Sequence, residues 1–262
     1  MNTVPKRTFI QKYHVKSLTW LVLFVGLVFV TAKVTDVDFV MFFANFGQFM
    51  ALLQQMAHPD WGYTHLVIQP ILETIQMALI GTTVGTLVAI PFSVLAARNI
   101  VKNKFLRGVI RFILNLVRTL PDLMLAALFV AIVGIGPVAG VFTLAIFSFG
   151  MISKLFYEAI ETIDEGPLEA LEAAGASKTQ VVVFAVIPQV FNYFVSYFLY
   201  TFEINVRAST VLGYLGAGGI GVYLQRSLDQ FAYAQTAIII LGILVVVLII
   251  DGLSNTLRER LL

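Results

Sequence analysis

Several stretches of this chain contain no charged residue, among them Thr74–Ala97, Leu123–Ser153 and Gln230–Ile250, of 24, 31 and 21 residues. About 20 apolar residues in a helix cross the ~30 Å hydrocarbon core of a bilayer. Few charges and long apolar runs define an all-α integral membrane protein with several spans. Composition agrees, since 59% of the 262 residues are hydrophobic and 12% charged, half of the ~25% typical of soluble domains. A soluble globular protein is thereby excluded. With no cysteine there is no disulfide framework, thiol catalysis or usual zinc site, and His14, His58 and His65 are too scattered for a clustered metal motif. A net charge of +2 gives no support to nucleic-acid binding.

Long apolar runs predict six spans: Leu18–Val34, Ile71–Ala97, Phe112–Val133, Pro137–Tyr157, Ile187–Leu212 and Ala234–Asn255. Lys6, Arg7, Lys12 and Lys16 precede the first; Arg98, Lys102, Lys104, Arg107, Arg111 and Arg118 follow the second. The positive-inside bias puts both clusters in the cytoplasm, and alternation adds Lys154, Lys178, Arg258 and Arg260. Fourteen positive residues then lie inside and two, Lys33 and Arg226, outside, with both termini cytoplasmic. A competing reading of the N-terminus is a signal peptide ending near Thr31-Ala32, which would leave five spans. In the outer segment Val34–Gln69, Phe39, Phe42, Phe43, Phe46, Phe49, Leu52 and Leu53 have the spacing of a helix lying in the interface or packing on other spans.

The cytoplasmic loop between the fourth and fifth spans holds Glu158, Glu161, Asp164, Glu165, Glu169 and Glu172, six of the fifteen acidic residues. Such a concentration suits water or a partner. Pro167 fits the first turn of a helix over Pro167–Ala174, and Gly175 fits its terminator. Ser177 with Gln180 makes a capping-box pattern opening a second helix, which Pro188 interrupts. The expectation is a compact helical knob, either a docking element or a plain connector.

Within the fifth span, Glu203 and Arg207 stand four residues apart, where each charge costs about 2.5–3.5 kcal/mol. They either satisfy each other as an i,i+4 pair or line a translocation path with Asn205, Ser209 and Thr210, the guanidinium fork contacting oxyanions. Arg118 and Asp122, also four apart, read as a structural pair. Gly216–Gly221 satisfies G-x-G-x-x-G, but a dinucleotide site needs a strand before it, a helix after it and an acidic residue ~20 positions on. None is expected here, so the glycines serve close approach or bending. No Gly-Lys pair occurs, hence no phosphate-cradling loop of the G-x-x-x-x-G-K-[ST] kind.

Glu169-Ala170-Leu171, three residues, Gly175, nine residues, then Ala185-Val186-Ile187-Pro188 resembles the E-A-A loop of ABC importer permeases, which reads E-A-A, three residues, Gly, nine residues, I-x-L-P. Leu171, Ala185 and Ile187 depart from it by apolar replacements that preserve spacing. Further blocks are similar to permeases of phosphonate-type importers: Arg118–Asp122, Gly134–Pro137, Gly150–Asp164, and Phe202–Arg207 leading to Gly213 and Gly216–Gly221. The last resembles that family's E-I-N-V-R and L-G-x-x-G-A-G-G-I-G signature. The first 70 residues carry little of the likeness.

The resemblance implies a type I ABC importer permease, with 1–70 holding the first span and outer segment and 71–262 the core, its coupling loop at about 158–188. Glu169, Ala170, Gly175 and Pro188 would belong to the ATPase-coupling loop. Gly213, Gly216, Gly218, Gly219 and Gly221 would form an outer glycine-rich segment. Implied partners are a cytoplasmic ABC ATPase dimer, an extracytoplasmic solute-binding protein, a second permease copy or close paralogue, and the lipid of a bacterial inner membrane. ATP and magnesium would sit on the ATPase, leaving this chain without cofactor or enzymatic activity. The expected cargo is a phosphonate or related phosphorus oxyanion. A methionine-type permease, a secondary transporter and an intramembrane enzyme are the alternatives.

Overall fold

The computed structural model describes residues 15–35 and 39–261, and all regular structure among them is helical. Two units divide at Gln54/Gln55. In the first, α1 spans Val15–Val34, α2 Phe39–Ala44 and α3 Phe46–Met56, whose last residues enter the second unit. The apolar part of α1, Leu18–Val34, is at the lower limit of about 17 residues for a span. On α3, Phe46, Phe49 and Leu53 are exposed along one face. Lys6, Arg7, Lys12, His14 and the side chains of Lys16, Phe39 and Phe42 lie outside the described residues.

The second unit comprises α4 (Thr64–Ala96), α5 (Lys104–Thr119), α6 (Asp122–Val133), α7 (Pro137–Ile160), α8 (Gly166–Ala173), α9 (Lys178–Val181), α10 (Ile187–Leu212), α11 (Ile220–Asp229) and α12 (Tyr233–Leu261). Four of its helical segments, containing α4, α7, α10 and α12, are long and apolar enough to cross a bilayer, five if the bent pair α5–α6 counts as one. Contact register gives the directions. Met77 faces Gly140, Gly81 faces Leu144, Gly85 faces Ser148 and Ser93 bonds the Ser153 carbonyl, so α4 and α7 run in parallel. A Cβ at Gly85 would lie 2.6 Å from that of Ser148, and one at Gly140 2.5 Å from the Ala217 carbonyl oxygen. Hydrogen at these positions lets the backbones meet, as small residues do between membrane helices.

Helix α10 runs the other way: Val190 packs in the cluster of Ala96, Ile160 and Leu168, while Asn205 reaches Thr82 and Ser148. Helix α12 is parallel to α4, with Gly242 against Val67 and Ile71, and Ile250 in the cluster holding Met77.

The expected span Phe112–Val133 is not one continuous helix. Helices α5 and α6 meet at 86° across Leu120-Pro121. Pro121 has no N–H to donate and forces its predecessor out of the helical region, and Leu120 is extended at φ −74°, ψ 124°. The pair still climbs the full length of α7, from Arg111 near Tyr157, through Val117 beside Gly150, to the Phe129–Phe142 stack and Gly136. Helix α5 turns two of its four charges inward while Lys104 and Arg118 stay exposed. Arg107 donates to the Val101 carbonyl at 3.0 Å and Arg111 to that of Ala96 at 2.9 Å, whereas Phe105, Val109 and Phe112 face outward. The bend also separates Arg118 from Asp122. Asp122 instead accepts from the Leu123 N–H at 2.9 Å, and no ion pair joins it to Arg118 among the described residues.

Candidate functional site

One end of the bundle carries the knob. Helix α8 places Pro167 in its first turn and buries Leu168 in a cluster with Ile110, Leu114, Tyr157 and Val181. It ends in paired bonds from Gly175 N–H to the Glu172 carbonyl and Ala176 N–H to the Leu171 carbonyl, both 3.0 Å, the Schellman arrangement. Gly175 has φ +83° with open space around it, so its need for glycine is purely conformational. The capping box forms: Ser177 N–H donates to Gln180 Oε1 at 2.7 Å, and Gln180 N–H to Ser177 Oγ at 3.4 Å.

Between α9 and α10 lies a π-turn, Val182–Val186, closed by Ile187 N–H donating to the Val182 carbonyl. Pro188 then occupies the first turn of α10, where a missing donor costs least. Gln189 ties this turn to the start of the knob, accepting from Asp164 N–H at 3.0 Å and donating to the Ala185 carbonyl at 2.9 Å.

The six acidic residues divide. Glu161 is partly buried and accepts from Arg98 N–H and from Arg111, while Glu158 pairs with Lys154 at 2.6 Å and Asp164 accepts from Gly166 N–H at 3.0 Å. Glu165 and Glu169 remain exposed on α8, as does Glu172, 3.9 Å from Lys102, with Ala170 exposed beside them.

Halfway along the bundle is a polar layer. Asn205 is fully buried and donates to Thr82 Oγ1 at 2.7 Å and Ser148 Oγ at 2.6 Å, joining α10 to α4 and α7. Thr82 and Ser148 are the nineteenth and twelfth residues of helices of 33 and 24, so the layer sits at mid-height. Ser209 is buried and donates to the Val206 carbonyl, and Thr210 to that of Arg207. Glu203 and Arg207 do pair, and the Glu203 side chain is only 9% exposed while that of Arg207 is 52% exposed. Sequence alone missed the third member: Arg258 of α12 donates to the other Glu203 oxygen at 3.1 Å. Asp251, on the same helix, comes within 3.9 Å of Arg207. The candidate path residues therefore split, with Asn205 and Ser209 turned into the protein and Arg207 presented at its surface.

At the opposite end, Gly213–Leu215 forms a 3₁₀ turn and Gly216, Gly218 and Gly219 take φ of +82°, +84° and +71°. Gly136 N–H donates to the Gly216 carbonyl at 2.8 Å. Gly213 and Gly221 are so close that a Cβ on the former would stand 2.5 Å from the latter's Cα. A helix does follow this run, contrary to expectation, but its first amides are already used: Gly219 N–H donates to Glu73 Oε1 at 2.9 Å and Ile220 N–H to Thr74 Oγ1 at 2.8 Å. Those bonds occupy two of the amides a phosphate would need. Glu73, unremarked in the sequence, is thus the anchor of the loop. No cluster of metal-binding side chains occurs among the described residues.

Comparison with known proteins agrees with this architecture. Residues 89–262 match the family described as binding-protein-dependent transport system inner membrane component. A phosphite transport system permease protein of Stutzerimonas stutzeri is 42% identical over 202 residues, 77% of this chain and 74% of that protein. A phosphate-import permease protein of Mycolicibacterium smegmatis is 38% identical over 213 residues, 81% of this chain and 40% of the relative. The inward-facing MetNI methionine ABC transporter superposes with a TM-score of 0.69 over 78% of this chain and 99% of that chain at 23% identity. A bacterial alginate ABC transporter gives 0.62 over 94% and 96% at 16% identity. At such identities the likeness concerns the fold alone.

Proposed function

Because the chain belongs to the binding-protein-dependent transport system inner membrane components, we propose that it is the permease of an ATP-driven importer of phosphorus oxyanions, phosphonate, phosphite or phosphate. The observation that carries the reading is Arg207. Its half-exposed guanidinium lies at mid-height on a helix otherwise apolar enough for lipid, where exposure to hydrocarbon costs about 2.5–3.5 kcal/mol. A water-filled seam against a second permease copy, identical or a close paralogue, removes that cost. It also gives a planar, permanently charged fork access to an oxyanion. The similar transport proteins named for phosphite and phosphate point to the same cargo.

In this reading the knob, with Glu165, Glu169 and Ala170 outward and Gly175 shaping its turn, docks on a cytoplasmic ATPase dimer that binds ATP and magnesium and performs the hydrolysis. The glycine-rich end faces a solute-binding protein outside the bacterial inner membrane. The chain itself performs no covalent chemistry. The test is uptake of radiolabelled phosphite into vesicles holding the permease, its ATPase and its binding protein. Uptake should require ATP and the binding protein, and Glu203→Gln with Arg207→Gln should lower it about tenfold or more while the ATPase still co-purifies. Wild-type uptake in the double variant would remove Arg207 from the path, and ATP-independent uptake would favour a secondary transporter.

A further inference from the structure

The polar layer holds one buried carboxylate between two guanidiniums from different helices. Glu203 uses one oxygen for Arg207 of α10 and the other for Arg258 of α12, at 3.1 Å in the second case. Neither arginine is buried as deeply as the acid: their side chains are 52% and 25% exposed against 9%. Arg258 is steadied from behind by its Nε, which donates to the Ser254 carbonyl at 3.3 Å. Asp251, 3.9 Å from Arg207, is the other acidic group paired into the cluster. A carboxylate and a phosphorus oxyanion offer guanidinium groups the same thing, a pair of oxygens sharing negative charge that a planar fork can grip. Whatever holds Glu203 can hold that oxyanion in its place.

We propose that Arg258 is a second anion-binding residue of the translocation path, forming with Arg207 a two-guanidinium clamp in which the Glu203 carboxylate is the resident occupant that a passing phosphorus oxyanion displaces. This rests on the oxyanion reading of the path and adds to it a residue from another helix and a release mechanism. A clamp of two arginines alone would retain a dianion. A tethered carboxylate four residues from Arg207 returns to the clamp as the anion leaves, so binding stays weak enough for passage. Because the clamp bridges α10 and α12, occupation also changes what holds those helices together.

The experiment is equilibrium binding of radiolabelled methylphosphonate, with sulfate as a second probe, to the purified permease–ATPase complex lacking the solute-binding protein. Glu203→Gln removes the carboxylate that both guanidiniums share and leaves only the longer Arg207–Asp251 pair, so methylphosphonate should bind about tenfold tighter than to wild type, the scale of one charge-assisted contact. Adding Arg258→Gln to Glu203→Gln should return binding to the wild-type level or weaker, and adding Arg258→Lys should fall between. A purely structural Arg258 predicts no change in anion affinity on going from Glu203→Gln to either double variant. That result, or no tightening in Glu203→Gln, overturns the clamp. Should a double variant fail to co-purify with the ATPase, Arg258→Lys alone decides, because unchanged binding and uptake there mean that the second fork is unused. Tightening toward sulfate but not methylphosphonate would keep the clamp and overturn phosphorus as the cargo, a failure visible separately as absent phosphite uptake.

Discussion

Gly85 and Gly108 are both helical glycines, and only their surroundings tell them apart. Nothing lies within 4 Å of a Cβ built on Gly108, whereas one on Gly85 meets Ser148 Cβ at 2.6 Å and the Phe149 amide at 2.9 Å. Alanine gains about 1 kcal/mol of helix propensity at either site, but at Gly85 it forces α4 and α7 apart, and overpacking costs about 1–3 kcal/mol. Gly108→Ala should therefore match or exceed wild-type heat resistance in detergent while Gly85→Ala loses a few degrees, followed as the fraction of monodisperse protein after heating. Equal midpoints would mean that this helix contact yields easily. The same contrast limits what the sequence discloses at this scale. Glu203 with Arg207 is legible because four residues separate them, but Arg258 is 55 residues away and Glu73 is 146 from its partner Gly219. Helical periodicity carries no information about partners brought together by tertiary packing.

Among the elements, the knob is nearly all local, which explains how much of it could be read in advance. Its start, Schellman end and capping box depend on residues within a few positions of one another. Gly175→Val should cost about 1–2 kcal/mol in the left-handed conformation, and Gly175→Asn less, since asparagine tolerates that region. Uptake per assembled complex should fall in the order wild type, Asn, Val, with membrane insertion unchanged. Wild-type uptake for Val would make the loop a connector only. The α5–α6 bend was hidden for a different reason: its apolar run is long enough to span, and Pro121 inside such a run is compatible with a straight or kinked helix. The chain turns by 86° at Pro121, and α5 packs with Arg107 and Arg111 against carbonyls and Glu161 inside the protein, a placement that hydropathy cannot register.

For the whole molecule, the directions of α4, α5–α6, α7, α10 and α12 alternate so that the knob and the glycine-rich loop stand at opposite ends. With no native cysteine, single substitutions report sidedness cleanly. An impermeant maleimide should modify Gln230→Cys in intact cells and reach Ser177→Cys only after disruption, both positions being exposed. Labelling of Ser177→Cys in intact cells would reverse the topology. Helix α7 joins the two ends directly: its last residues lead within a few positions into the knob, and its first follow Gly136, bonded to Gly216. Glycine contacts bind it to α4 along its length, so the pair resists bending and behaves as a seesaw plank. At 24 residues α7 is about 36 Å long, and a tilt of about 10° around its midpoint would move both ends by about 3 Å in opposite senses. A plank of that kind cannot spread at both ends together, so widening at the glycine-rich end would narrow the knob end by the same stroke.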